Sequence, residues 1–502
     1  MKPLVIFVAA CLCASPTLAA TLFVPQQYPT IQSAVNAANA GDTVKVAAGT
    51  YFEQVVLRDQ VDVRGASAVI DATHVTSGFL AVDLAHGVTV SGFTIQNAGQ
   101  DPSVGFAQGF RVINSNGVTV EDCTIVNSVV HGVRGIGATN LSLRRLSIHD
   151  NGAQGVRVNS GSVTLQDSDV FNSGAAGARF DGSFVRVMRT RFTNNHGGSA
   201  LRCHAGSVCH VEENTFTNND NSLTATDSDD TLNGGLPSVL YSRGNRIEGS
   251  RGTGIVVWNS TLFSLDDTLT HNQGGIIILN GSRVEFVGLR ESDTIVSNGL
   301  DAVSSNTYCV TPDCTSFLLQ NTPIEVKLVG ARITGSYYSG VRAAAGARIT
   351  MIDTVITGNG TSGSGDGLSA QSVDVQSVNG PNDTTVSIPS LITVRHSTIS
   401  GNNGFGATAI DDSRLDLGVQ PVPGTDGKSG NDEERSSGRN TISANRDGSV
   451  RNFTANSVPA QGNWWGTTDP AAIQAGIRDC ATNNTEGCVI FSPFLASQPE
   501  SK

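Results

Sequence analysis

Five short segments decide the fold: CTIVNS (123–128), LSIHDN (146–151), SDVFNS (168–173), TRFTNN (190–195) and NTFTNN (214–219). Each places strand-type residues around one apolar side chain and closes on a polar turn that contains asparagine. The apolar residues are Ile125, Ile148, Val170, Phe192 and Phe216, at intervals of 23, 22, 22 and 24. Ile247 to Leu269 repeats the interval of 22, and Ile333 to Ile356 that of 23. Later copies are TVITGN (354–359), STISGN (397–402) and NTISAN (440–445). The longer gap from Ile356 to Ile399 implies a loop inserted into a turn.

A period of 22–24 residues marks a solenoid. The units hold short Val/Ile/Thr/Phe alternations broken by Gly and Asn, with no helical periodicity. The dense leucine frame of leucine-rich repeats is absent, and so are GGxGxD calcium repeats. Three short strands with their turns therefore predict one coil of a parallel β-helix. The expected fold is all-β, a right-handed parallel β-helix of about 12–13 coils. Glycine and asparagine suit turns that need a positive φ.

Both ends read as caps, which a solenoid needs to cover its open edge. Thr30 is placed to N-cap a helix whose Ile31, Ala34, Val35 and Ala38 share one face, with Gly41 beyond its end. Asp469-Pro470 starts a second short helix with Ile473 and Ile477 on one face. The expected division is a leader at 1–20, an N-terminal cap at 21–60, the β-helix at 61–460 and a C-terminal cap at 461–502. Inserted loops are expected near 371–390 and 411–439.

Of 502 residues, 56 are glycine, charged residues are 15% and aromatic residues 6%. The net charge of −12 argues against a nucleic-acid binder, whose footprint is usually basic. Met1 to Ala20 reads as a secretory signal, with Lys2, an apolar run from Leu4 to Leu12 and a small-residue cleavage site. That run is too short to cross a bilayer, and no later segment is apolar enough. The expected location is secreted or periplasmic, with no membrane partner. In an oxidising compartment three close pairs read as local disulfides: Cys203 with Cys209, Cys309 with Cys314, and Cys480 with Cys488. Zinc on Cys203, His204, Cys209 and His210 is the alternative, but neighbouring strand residues face opposite ways. Cys123 is left over as a buried thiol.

The segment YPTIQSAVNAANAGDTVKVAAGTYFEQVVL (28–57) resembles the N-terminal cap of the pectin-lyase-like superfamily of right-handed β-helices. GNWWGTTDPAAIQAGIRD (462–479) and IFSPFL (490–495) are similar to the C-terminal end of many secreted β-helix repeat proteins. With the repeat, the resemblance spans nearly the whole chain beyond the leader. It implies the fold and, as expectation, activity on or binding of polysaccharide. Two classes follow: a lyase-type enzyme on acidic glycans, or a non-catalytic adhesin- or matrix-like binder. A copper-accessory role stands behind both, because methionine is scarce. The superfamily's catalytic signatures are absent: no WxDH-like calcium segment, no GxDFIFG-like segment, no NTD…DD…GHG series and no DPHD.

Outward positions form columns along such a rod. Three residues before each key apolar side chain stand Asp122, Arg145, Asp167, Arg189 and Glu213, and their signs alternate. Opposite charges in adjacent coils support each other, so this column reads as structural. A second column carries one sign only: Arg111, Arg134, Arg157, Arg179 and Arg202, spaced 23, 23, 22 and 23. Stacked like charges repel, and arginine forks suit carboxylates. The column therefore reads as a site for an acidic polysaccharide or another linear polyanion; structural pairing with nearby carboxylates is the alternative. Asn159, Asp181 and His204 occupy the next outward position in three successive coils. Asp181 and His204 are the candidates for acid–base chemistry there.

Aromatic platforms for sugars are sparse. Trp258 is expected to face outward and Tyr337-Tyr338 to sit in a turn, while Trp464-Trp465 reads as cap packing. The acidic doublets Asp229-Asp230, Asp266-Asp267 and Asp411-Asp412 read as solvated turns rather than calcium sites. No motif calls for a metal or cofactor, calcium included.

Overall fold

The computed structural model describes residues 19–227, 235–303, 307–309, 317–319, 324–377, 384–418 and 438–500. Residues 1–18 of the expected leader, the centre of the 411–439 insertion and Asp229-Asp230 lie outside them. Among the described residues each repeat is one coil of three strands. The coil Gln108–Ile113, Val118–Glu121, Thr124–Val126 is representative. We call the faces built from these strands one, two and three.

Within the coils, described strands pair in parallel with their equivalents one coil away. Ile125 lies opposite Ile148, which lies opposite Val170, then Phe192 and Phe216. A parallel crossover of this kind is right-handed. Among the described residues face one stacks sixteen strands, from Val55–Val56 to Ile477–Arg478. The stacking thus continues into both caps, and the rod is longer than the repeat spacing predicts.

The apolar column fills the interior. Ile125, Ile148, Val170, Phe192, Phe216, Ile247 and Leu269 are all fully buried. Phe192 and Phe216 stack with centroids 5.1 Å apart. The N-terminal helix Ile31–Ala37 covers the open end; Thr30 accepts from Ser33 N, and Ile31, Ala34 and Val35 are buried. Its C-cap is Ala38, with Gly41 in the turn beyond at φ 93°. The second helix, Pro470–Ala475, is capped by Asp469. Trp465 is buried beside it and meets Phe491 edge-on.

The two positions that close each repeat do different work. The first is left-handed: Asn127, Asp150, Asn172, Asn194 and Asn218 all have φ between 52° and 58°. The second is buried and joins the coils. Asn195 N donates to Asn219 Oδ1 at 3.0 Å, and Asn195 Nδ2 donates to Val170 O at 3.1 Å. Asn359, Asn402 and Asn445 continue the same ladder. Asparagine supplies both an acceptor and donors, so it satisfies backbone groups that a tight turn leaves unpaired.

A matching ladder runs through the turn between faces two and three. Thr190 N donates to Asn214 Oδ1, Asn214 N to Asn245 Oδ1 and Asn245 N to Asp267 Oδ1. Asp267 is therefore no solvated turn residue. It is fully buried, and burial raises its carboxyl against hydrogen bonds from Ser242, Ser264 and Asn245. The alternating column also sits in this turn rather than on strands: Asp122, Arg145, Asp167, Arg189 and Glu213 are all left-handed. Its pairing is as expected. Arg145 Nε and Nη2 reach Asp122 at 2.7 and 2.9 Å, and Arg189 reaches Asp167 at 2.7 and 3.1 Å.

Two of the three expected disulfides are present, Cys203–Cys209 and Cys480–Cys488, and Cys123 is a buried free thiol. Burial pushes the Cys123 thiol up to about 12. The third expectation, a bridge from Cys309 to Cys314, is not among the described disulfides. Cys309 ends the strand Thr307–Cys309, whereas Cys314 lies outside the described residues. Cys203 points into the core while His204 stays on face one and His210 stacks on Tyr241 of face two, so the zinc alternative has no convergent ligands. Among the described residues no group of metal-ligating side chains converges. Near 371–390 the chain leaves the coil as an antiparallel hairpin, Val373–Ser377 with Thr384–Ile388. No described helix is long and apolar enough to cross a membrane.

One core position breaks the pattern. Glu291 occupies the apolar column between Leu269 and Ile333 and is 2% exposed. Thr294 Oγ1 donates to one carboxyl oxygen, while Oε2 has no partner among the described residues. A Cβ at Gly299 would lie 2.6 Å from that oxygen, so glycine leaves the room the glutamate fills. Burial, with the nearby Asp293 charge, pushes the Glu291 carboxyl up to about 8. The folded chain keeps this proton where the unfolded chain, with an ordinary value of 4.5, has released it. Stability is thus greatest below pH 4.5 as far as this group is concerned, and falls as pH rises towards about 8. The slope is about 1.4 kcal/mol per pH unit in that window. Thermal melts of Glu291→Gln from pH 6 to 9 are expected to lose that slope and to exceed the wild type at pH 9. The ladder has its own test. Asn195→Ala leaves Ser173 N and Val170 O without their side-chain partner, and denaturant unfolding is expected to show a loss of about 1–3 kcal/mol.

Candidate functional site

Face one carries the arginine column in the expected register. Arg111 lies opposite Arg134, then Arg157, Arg179 and Arg202. Inward partners Phe110, Val133, Val156, Ala178 and Leu201 are fully buried and fix the arginines on the outside. The side chains do not stand free in water. All five arginines are half-buried, with Arg157 at 29% and Arg179 at 19% side-chain exposure, because their stems lie along the sheet.

Asp181 is the hub of the upper coils. It takes Arg179 Nε at 2.8 Å, Arg157 Nη2 at 3.4 Å, Asn159 Nδ2 at 3.0 Å and His204 Nδ1 at 2.7 Å. Arg179 Nη2 also lies 3.2 Å from His204 Nδ1. A nitrogen cannot both donate to the carboxylate and accept from the guanidinium, and the shorter contact assigns its proton to the Asp181 bond. Burial alone would raise the Asp181 carboxyl. The His204 and Arg179 hydrogen bonds, with the Arg179 and Arg157 charges, outweigh it and hold the group well below the carboxylate range.

The lower coils are compensated differently. Arg134 donates to Gly135 O at 3.0 Å, Arg157 O at 3.5 Å and Asn159 Oδ1, all uncharged acceptors. Burial first, then the Arg157 charge and, less, that of Arg111, against the opposing Asp181 charge, lower Arg134 to about 10. Arg202 Nε donates to Thr226 Oγ1 at 3.2 Å. Arg179, Arg202, Ser199, Thr224 and Val256 line a shallow groove that leads away from the charged coils.

The groove approaches Trp258, which lies opposite Thr226 and is 37% exposed. Tyr337 and Tyr338 are exposed in a turn, as expected. A further set went unnoticed in the sequence: Gln108, His131 and Gln154, three residues before the first three arginines. The signal was present as QGFR (108–111), HGVR (131–134) and QGVR (154–157). His131 is buried and brought down to about 4 by burial and by the Arg134 and Arg157 charges.

A family model described as "Right handed beta helix region" matches residues 78–235. No curated protein matches the chain at a significant level. Among solved structures, the surface adhesin PfbA of Streptococcus pneumoniae is 12% identical, over 76% of this chain and 88% of its own, with a TM-score of 0.34. An alginate lyase from Paenibacillus is also 12% identical, over 54% and 95%, with a TM-score of 0.34. A mannuronan C-5 epimerase module from Azotobacter vinelandii is 15% identical, over 94% and 95%, with a TM-score of 0.28. At these values the likeness concerns architecture alone. The fold is a right-handed parallel β-helix.

Replacing Asp181 by Asn leaves Arg157 and Arg179 without the anion they share. The expected loss of stability at neutral pH is about 3 kcal/mol, read from denaturant unfolding. The wild type draws stability from the ionised carboxylate above its ordinary value of 3.8 and loses it as pH falls further. Melts of Asp181→Asn below about pH 4 are therefore expected to show less acid sensitivity than the wild type.

Proposed function

We propose that the chain binds acidic polysaccharide along face one, with Arg111, Arg134 and Arg157 as the anion-binding rail. One observation carries this reading. Three arginines stand in register in successive coils, whose strands lie about 4.8 Å apart, and the middle one has only uncharged hydrogen-bond partners among the described residues. After burial, the main cause, the Arg157 and Arg111 charges also lower Arg134. A linear chain with regularly spaced carboxylates would offset these charges at each coil. Two disulfides accord with a chain that works outside the reducing cytosol, secreted or periplasmic.

Binding is favoured over catalysis by the condition of the two acid–base candidates. Asp181 already accepts hydrogen bonds from Asn159, Arg179 and His204, pairs with Arg157 and stays ionised, so it is a poor proton acceptor. The Nδ1 of His204 is already engaged by Asp181 at 2.7 Å, so this nitrogen is not free to act as a base. The reading is thus of a glycan- or surface-binding β-helix, without a cofactor.

Calorimetric titration of polygalacturonate at low salt is expected to show binding that weakens steeply as salt rises, because the charges are partly exposed. Arg157→Ala is expected to weaken it several-fold and Arg157→Lys less, since lysine keeps the charge but loses the fork. If Arg157→Ala binds as the wild type does, the arginine rail is structural and the proposal fails.

A further inference from the structure

The arginine face has a second rail. Gln108 lies opposite His131, and Gly132 N donates to Gln154 O at 3.1 Å, so the three residues stack in successive coils. Gln108 and His131 are each 7% exposed. Gln108 Oε1, His131 Nδ1 and Gln154 Oε1 have no hydrogen-bond partner among the described residues, and neither do Arg111 Nε and Arg157 Nε. Buried polar atoms are paired as a rule. Five exceptions within three neighbouring coils of one face mark a surface built to be completed by something else.

The chemistry of those atoms restricts what completes it. An amide oxygen only accepts, so Gln108 and Gln154 require a donor. Phosphate diesters and carboxylates offer none at neutral pH, whereas a sugar hydroxyl donates and accepts. His131 is neutral at that pH, since burial first, and then the Arg134 and Arg157 charges that face it, disfavour the cation. It therefore adds one donor and one acceptor rather than charge. Beside it the arginines supply donors for anionic oxygens. The two rails thus match a repeating unit that carries both an anion and hydroxyls.

We infer that Gln108, His131 and Gln154 read the hydroxyl groups of the chain whose anionic groups lie on Arg111, Arg134 and Arg157, so that face one selects an acidic glycan over a polyphosphate. The inference rests on the reading of the arginines as an anion rail, and its test separates the two. The chain from residue 21 onward is titrated with polygalacturonate and with long-chain polyphosphate, as wild type, Gln108→Leu/Gln154→Leu and Arg157→Ala. The glutamine variant is expected to lose about tenfold or more in affinity for polygalacturonate and to keep its affinity for polyphosphate. Arg157→Ala is expected to weaken both. Unchanged polygalacturonate binding by the glutamine variant, or an equal loss on both polymers, overturns the second rail and leaves the first standing. No effect of Arg157→Ala on either polymer removes the anion rail itself. Gln154→Leu alone, at the less buried position, serves if the double variant melts well below the wild type, with the same split between polymers expected.

Discussion

Everything in this rod depends on each coil repeating the backbone path of the one before it. A parallel stack satisfies strand amides by construction, but the turns have no such guarantee. The buried turn side chains supply it. Asn195 and Asn219, Asn214 and Asn245, and Asn359 to Asn445 hand hydrogen bonds from coil to coil in the core. A left-handed residue before each ladder position turns the chain sharply enough to bring the asparagine inside. The asparagine pair that ends a repeat such as TRFTNN is therefore two different constraints side by side, one conformational and one of hydrogen bonding.

That constraint explains what was legible in the sequence and what was not. The inward column was legible because apolar residues at 22–24 spacing have one use in a strand-rich chain. The caps were legible from Thr30 and Asp469, whose side chains precede short apolar helical faces. Close cysteine spacing was a sound guide at Cys203–Cys209 and Cys480–Cys488; the same reading of Cys309 and Cys314 falls where Cys314 is outside the described residues. The ladders were not legible, because asparagine in a polar turn looks the same whether it faces water or the core. Asp267 was misread for that reason: it holds a ladder position that asparagine fills one coil earlier. Glu291 was invisible because the repeat predicts an aliphatic residue there, and only the glycine at 299 hints that space exists for a carboxyl group.

The candidate site divides along the same line. The arginine register was legible, since spacing alone fixes which residues stack. How each guanidinium is compensated was not. Arg157 and Arg179 share Asp181, while Arg134 rests on carbonyls and Asn159; such pairings depend on side-chain reach across coils. The column of Gln108, His131 and Gln154 was present in the sequence as a recurring dipeptide before each Φ-Arg pair. Neutral polar residues attract no notice beside five arginines, though their buried unpaired atoms say more about a ligand than the charges do.

The two charged columns show why the arginine face calls for a functional reading. Both recur once per coil and both stack at the same separation. In the turn between faces two and three the signs alternate, and Arg145 and Arg189 each clasp a carboxylate of the preceding coil through two hydrogen bonds. The same device was open to face one, where a carboxylate in every second coil would have neutralised the stack. Instead arginine recurs in five consecutive coils, with Asp181 compensating the upper ones. Among the described residues, Arg134 hydrogen-bonds to no carboxylate. Repulsion between stacked arginines, and burial of Arg111 Nε and Arg157 Nε without partners among the described residues, both oppose folding. The proposed binding of an acidic chain accounts for a surface that keeps this cost beside a column where it has been removed, because local inconsistencies of this kind concentrate where a protein meets its ligand.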